Sequence, residues 1–193
     1  MAGRQETRIT TGEARLSYVN LFKPYAHMEG QEEKYSVTIL VPKTDTKTKA
    51  IIDAAINAAI EQGITSKWNG VKPPKVAIPV YDGDGTKPSD GTEFGSECKR
   101  HWVFTASCKK DYPPQVVDLQ VQPIINQSEV YSGMYGRVSV VFAPYIFGGK
   151  KGIGVYLGNV QKTREGEPLT SKRSAADDFG AVDIDPITGK PRF

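Results

Sequence analysis

The sequence predicts a mainly β chain: five to six strands closed or partly closed into a small barrel, with one α-helix, long loops and a flexible tail. Three observations lead there. Alternating and β-branched segments recur along the chain, a single segment has helical periodicity, and Pro/Gly-rich stretches separate the elements. At 193 residues the chain suits one core. We read it as one domain over 1–170 and an acidic tail over 171–193.

"TRITTGEARLSYVNLF" (7–22) reads as a first strand, rich in β-branched and aromatic residues. In "KYSVTILV" (34–41), Tyr35, Val37, Ile39 and Val41 face one way and Lys34, Ser36 and Thr38 the other, and Pro42 ends the strand. The helix is expected over 45–62. Thr44 or Asp45 caps it, Ile52, Ile56 and Ile60 with Ala55 and Ala59 form its apolar stripe, and Gly63 stands where a C-terminal cap belongs. A Pro/Gly-rich region follows to about residue 95, with a short strand at 76–81; a loop of this length is expected to be functional or mobile. Further strands are expected at 100–109, 115–122, 129–143 and 152–162. "GGKKGIG" (148–154) reads as the turn between the last two, with Lys150 and Lys151 exposed. By strand count the best match is the oligonucleotide/oligosaccharide-binding (OB) barrel. The helix here follows the second strand rather than lying between the third and fourth.

The composition narrows the chemistry. Mean hydropathy is −0.41, and no apolar run approaches the about 18 residues of a membrane helix. With no signal-like N-terminus, the cytoplasm is the expected location. Cys98 and Cys108 are then free thiols rather than a disulfide framework. Two histidines, with no nucleophile elbow, phosphate loop or paired-carboxylate motif, argue against an enzyme and against any cofactor. "DGDGTKPSDGTE" (82–93) has Asp82, Asp84, Thr86 and Glu93 in calcium-loop positions. Lys87 replaces the required glycine, however, so it reads as turns. Cys98, His101 and Cys108, even with His27, lack zinc-site spacing, so no metal is expected.

Charge is more informative by region than in total. Residues 1–94 hold 12 basic and 12 acidic side chains, whereas residues 95–164 hold 9 and 4. That basic region holds the candidate binding face. Sorting 129–143 by parity puts Val130, Met134, Val138, Val140 and Phe142 inside, and Tyr131, Gly133, Tyr135 and Arg137 outside. In 152–162, Ile153, Val155 and Leu157 face in, while Gly152, Gly154, Tyr156, Gly158 and Lys162 face out. Tyr131, Tyr135 and Tyr156 are candidate stacking platforms for single-stranded bases. Arg137, Lys150, Lys151 and Lys162 are candidate phosphate contacts. Arg100, Lys109 and Lys110, at the ends of the 100–109 strand, extend the positive path, with His101 as a hydrogen-bonding or stacking group. The alternative is a plain solvated sheet face. Secondary aromatic candidates are Trp68, Trp102, Phe104 and Tyr112, although Trp102 and Phe104 fall on the core-side parity with Ala106 and Cys108.

"YSGMYGRVSVVFAPYIFGGKKGIGVYLGNVQKTREGEPL" (131–169), with "SAADDF" (174–179) after it, resembles a family of bacteriophage single-stranded DNA-binding proteins. "YSVTILVPK" (35–43) and "FTASCKKDYPPQVVD" (104–118) resemble it too. The resemblance covers most of the chain outside 63–95. It implies an OB-type barrel, no catalysis, and a role coating single-stranded DNA in phage replication or recombination. The tail residues Asp177, Asp178, Phe179, Asp183, Asp185 and Phe193 are candidates for self-docking or for binding replication and recombination partners. A homo-oligomer on DNA is compatible with this reading. Two other readings stand beside it: a phage assembly protein using the tyrosine face as an interface, and an RNA-directed OB module.

Overall fold

Strand alternation and one capped helix organise the chain. The computed structural model describes residues 6–169, 181–184 and 186–192. Its elements are β1 (Arg8–Thr10), β2 (Ala14–Tyr25), β3 (Lys34–Pro42), α1 (Thr46–Ser66), β4 (Tyr81–Asp82), β5 (His101–Lys109), β6 (Val116–Val117), β7 (Tyr135–Phe147), β8 (Lys150–Arg164), β9 (Asp183–Ile184) and β10 (Pro191–Arg192).

Five strands close on themselves in the order β7-β2-β3-β5-β8, and β8 returns to β7 as a long antiparallel hairpin. The parallel seam between β5 and β8 is a single pair, Ser107 with Tyr156. Two other segments complete that edge of β8: Ala77 bridges Gly152 at one end, and β6 pairs with Val160 and Gln161 at the other. The centre of the ring is apolar, with Leu16, Val37, Ile39, Phe104, Ala106, Val138, Val140 and Phe142 all buried. On β7 the even residues from Gly136 to Pro144 are buried and the odd ones are not, as parity predicts.

Several boundaries move for identifiable reasons. The first strand is broken at Thr11–Glu13. Thr11 Oγ1 takes the Val138 amide at 3.1 Å, and the Gly12 amide donates to Thr48 Oγ1 at 3.0 Å. The strand expected at 115–122 shrinks to Val116–Val117, because Asp118 accepts the amides of Gln120 and Gln122 and turns the chain. β7 begins at Tyr135, not 129, since a short 3-10 turn occupies Gln127–Glu129 and Gly133 has φ +115°. It then runs on to Phe147, and a tight Gly148–Gly149 turn, both at positive φ, delivers the chain into β8.

The helix is capped by Asp45, whose carboxylate accepts the Thr48 amide, and it continues past Gly63 to Ser66. Gly63 lies inside the helix because Trp68 folds back against it; a Cβ at Gly63 would sit 2.6 Å from the indole. Ile52, Ala55, Ile56 and Ala59 are buried, and α1 packs chiefly on β7. Within the tail region, β9 and β10 pair as a small antiparallel hairpin. Asp183 belongs to β9, while Asp177, Asp178, Phe179, Asp185 and Phe193 lie outside the described residues.

Trp68 joins the helix to the core and is only 1% exposed. Trp68→Ala should lower unfolding free energy by about 3–5 kcal/mol in a denaturant titration, the usual cost of emptying so large a buried site.

Candidate nucleic-acid interface

The outside of the β2-β3-β5-β8 wall is unlike the inside. Residues paired across neighbouring strands share a face. Three outward pairs step along β3 and β5: Lys34 opposite Lys109, Ser36 opposite Ser107, and Thr38 opposite Thr105. They span about 13 Å at the usual strand rise. Thr38 and Thr105 hydrogen-bond through their hydroxyls at 2.8 Å. Asn20, from β2, reaches Ser36, and on the other flank Tyr156 of β8 stands beside Ser107 with half its surface exposed. Two hollows, of about 520 and 400 Å³, lie along this stripe and meet at Thr105. Tyr25 and His27, stacked edge to face at 5.2 Å, border the second, beside Lys34.

Lys34 and Lys109 are exposed and directly opposed. Like charges facing each other across a sheet are destabilising. Neither forms an ion pair among the described residues, whereas Lys43, Lys49, Lys99, Lys162 and Arg164 all do. Glu32 lines the same hollow as Lys34 without forming an ion pair with it. Lys110 and Tyr112, both exposed, follow it in the loop after β5.

Above this stripe the segment 79–98 folds over the same face. Phe94 and Cys98 cover Leu40 and Val103, and burial pushes the Cys98 thiol up to about 11. Gly83 packs so tightly on the Cys98 carbonyl that a side chain there would collide with it. Lys43 fastens the segment from below, donating to Asp82 at 2.5 Å and Asp84 at 2.7 Å. These bonds hold both carboxyls below their ordinary range and raise the Lys43 ammonium. The calcium-like spacing of Asp82 and Asp84 thus serves a lysine, and no cluster of potential metal ligands occurs among the described residues.

The predicted site residues divide. Tyr156 is outward and open, and Lys109 at the end of the stripe and Lys110 in the loop after β5 are exposed. Lys150 is exposed and Lys151 half-buried at the β7–β8 turn, next to Phe147, which is 80% exposed. Arg137 is exposed on β7, with its Nε near the Thr11 carbonyl. Arg100 is exposed at a positive-φ corner, and half-buried His101 meets the Lys99 carbonyl through Nδ1 at 2.7 Å.

The tyrosine row expected at 131–135 is not an open platform. Tyr131 precedes β7, and its hydroxyl is bonded to Glu165 and Gly166. The Tyr135 ring carries the Arg164 guanidinium 3.5 Å from its centre. Lys162 has changed sides. The register slips between Val138 and Val140, leaving an extra residue in β8, so beyond the bulge even-numbered residues point inward. Lys162 is nearly covered, bonded to the Glu129 carbonyl and paired with Glu165. Trp68 and Phe104 are buried, and Trp102 packs on the core with Lys43 and Lys49 at 4.9 and 4.5 Å from its ring centre. The glycines at 152 and 154 are approached by Tyr145 of the neighbouring strand. The sequence reading missed Tyr18, Tyr25, Lys34 and Tyr81. The alternation of 34–41 already placed Lys34, Ser36 and Thr38 outside, but the contribution of β2 depends on bulges that alternation does not reveal.

Comparison with known proteins identifies the family and agrees with the fold. The family described as the ssDNA-binding protein of Enterobacter phage Enc34 matches residues 7–186. The single-stranded DNA-binding protein of bacteriophage Enc34, solved in complex with ssDNA, is 27% identical, with a TM-score of 0.71 over 85% of this chain and 90% of that one. The same protein without its C-terminal segment is 29% identical, with a TM-score of 0.66 over 84% and 88% of the two chains. The single-stranded DNA-binding protein gp2.5 of bacteriophage T7 shares the fold at 16% identity, with a TM-score of 0.58 over 88% and 91%. No curated protein sequence matches the chain.

The Lys43 latch has a pH signature. A carboxylate whose pKa is depressed in the folded state stabilises it above the unfolded value, and that contribution is lost as pH falls through the folded one. Amide exchange around Asp82 and Asp84 should therefore quicken as pH falls below the ordinary aspartate value of about 3.9. Lys43→Met should quicken exchange of the same amides at neutral pH, with the Phe94–Cys98 packing keeping the rest of the segment in place.

Proposed function

Since the chain belongs to the family of the Enterobacter phage Enc34 ssDNA-binding protein, we propose that it binds single-stranded DNA in phage replication, along the outer β2-β3-β5-β8 face. The reading rests on Lys34 and Lys109, a directly opposed pair with no carboxylate partner among the described residues. A phosphate backbone supplies the missing negative charge, and its arrival releases counterions. The hydroxyl rows carry no charge and impose no single base pattern. Tyr156 and Tyr25, exposed on either side, offer π-faces that any base can stack on. The function needs no chemical step, and the face presents lysines, hydroxyls and tyrosines rather than an acid–base pair.

Arg100, Lys110, Lys150 and Lys151 extend the positive path at the two ends of the wall, and Phe147 and Tyr112 are further rings a strand would pass. Arg137 and Tyr135 lie on the β7 side, away from the stripe. No helix among the described residues is long and apolar enough to cross a membrane. The assembly reading needed Tyr131, Tyr135 and Tyr156 as one interface, and two of those rings are engaged within the chain. The tail over 171–193 is retained as a docking segment for the protein itself or for replication partners.

Titration of a fluorescent deoxyoligonucleotide at several salt concentrations tests the reading. The log–log slope should fall in magnitude by about 0.7 for each of Lys34→Ala and Lys109→Ala. Tyr156→Ala should weaken binding by about 1–3 kcal/mol with little change in Tm. Absence of binding at low salt would overturn the function, and tighter binding to RNA of the same sequence would favour an RNA-directed module.

A further inference from the structure

The larger hollow has features that a backbone groove does not require. Tyr18 borders it with φ +46°, a left-handed conformation that is a rare outlier for a bulky side chain, and its ring is 68% exposed. The bulged stretch of β2 between Ser17 and Asn20 holds it there. Backbone strain of this kind persists only where the surroundings enforce it, and it concentrates at ligand sites. Tyr81 and Phe94 line the same hollow as a ring pair, 6.5 Å apart and tilted by 32°. Their segment is held over the sheet by the Lys43 latch and the close approach at Gly83. The Thr38–Thr105 hydroxyl pair also lines the hollow, and Lys87 and Glu97 contribute one charge of each sign to its wall. Aromatic walls, hydroxyls that both donate and accept, and a nearby cation make a receptacle for a flat heterocycle attached to a phosphate.

We propose that this hollow takes one nucleobase of each bound segment out of the strand, between Tyr18 and the Tyr81–Phe94 pair, with its edge against Thr38 and Thr105. This rests on the single-stranded DNA reading above and adds a distinction within the footprint. One nucleotide is held by its base, and the others by backbone and open stacking. A hydroxyl pair satisfies any base edge, so the receptacle requires that a base be present without selecting which one.

An abasic scan tests this. A single abasic site is moved through the shortest deoxyoligonucleotide that binds, and affinity is measured at each position. One position should cost about tenfold or more, the loss of one well-stacked base, with the others costing much less. Tyr18→Gly is the diagnostic variant, because glycine adopts positive φ freely. Its Tm should hold or rise while the position-dependent loss disappears. Thr38→Val together with Thr105→Val should lower affinity for the intact strand and leave the abasic strand unaffected. Lys109→Ala should weaken every position equally and keep the wild-type profile. A flat wild-type profile, or a Tyr18→Gly profile matching wild type, would overturn the receptacle while leaving single-stranded DNA binding intact. Failure to bind any oligonucleotide would overturn both.

Discussion

Closure of the β8 edge is the constraint on which the structure depends. β8 must pair with β7 along nearly its whole length and also complete the ring on its other side. That second edge is assembled from Ala77, Ser107 and β6, three short contacts from distant parts of the chain. With the ring shut, the inward positions at its centre are buried and the outward positions of β3 and β5 are available for polar pairs. The parallel contact at Ser107 also carries Tyr156 to the hydroxyl stripe. A ring closed one residue out of register would put the lysines inside and the valines outside.

The proposed function follows from which outward residues are left open. On the β7 side, the outward residues are occupied by the chain itself. Tyr131, Tyr135, Arg15, Arg164 and Glu13 knit the start of β2 to the end of β8, and Gly133 and Gly166 allow the segment before β7 to touch the one after β8. On the β3–β5 side there is no such strapping below Thr105. There the lysines face each other with no ion pair among the described residues, and the rings of Tyr25 and Tyr156 are open. The 79–98 segment covers only the upper part, converting a flat sheet into a walled groove.

Much of this was legible in the sequence. Period-two alternation placed Phe104, Ala106, Val138, Val140 and Phe142 inside and Lys34, Ser36, Thr38 and Tyr156 outside, because those stretches are regular. It failed where the backbone is irregular. The β8 bulge between Leu157 and Val160 reversed Lys162. The 3-10 turn and Gly133 removed Tyr131 from the strand, and the Asp118 turn cut β6 to two residues. Gly63 looked like a cap, but a tryptophan five residues later uses it as a packing surface. The receptacle was the least visible part, since Tyr18 depends on a positive φ and Tyr81 and Phe94 sit in a segment without periodicity.

On the proposed reading DNA lies on the β3–β5 side rather than on the β7 side, where parity had placed Tyr131 and Tyr135. Photo-cross-linking of a bromodeoxyuridine oligonucleotide, followed by peptide mapping, addresses it directly. Adducts should appear on the peptides bearing Tyr18, Tyr25 and Tyr156. Adducts confined to Tyr131 and Tyr135 would place the strand on the opposite wall and contradict the account.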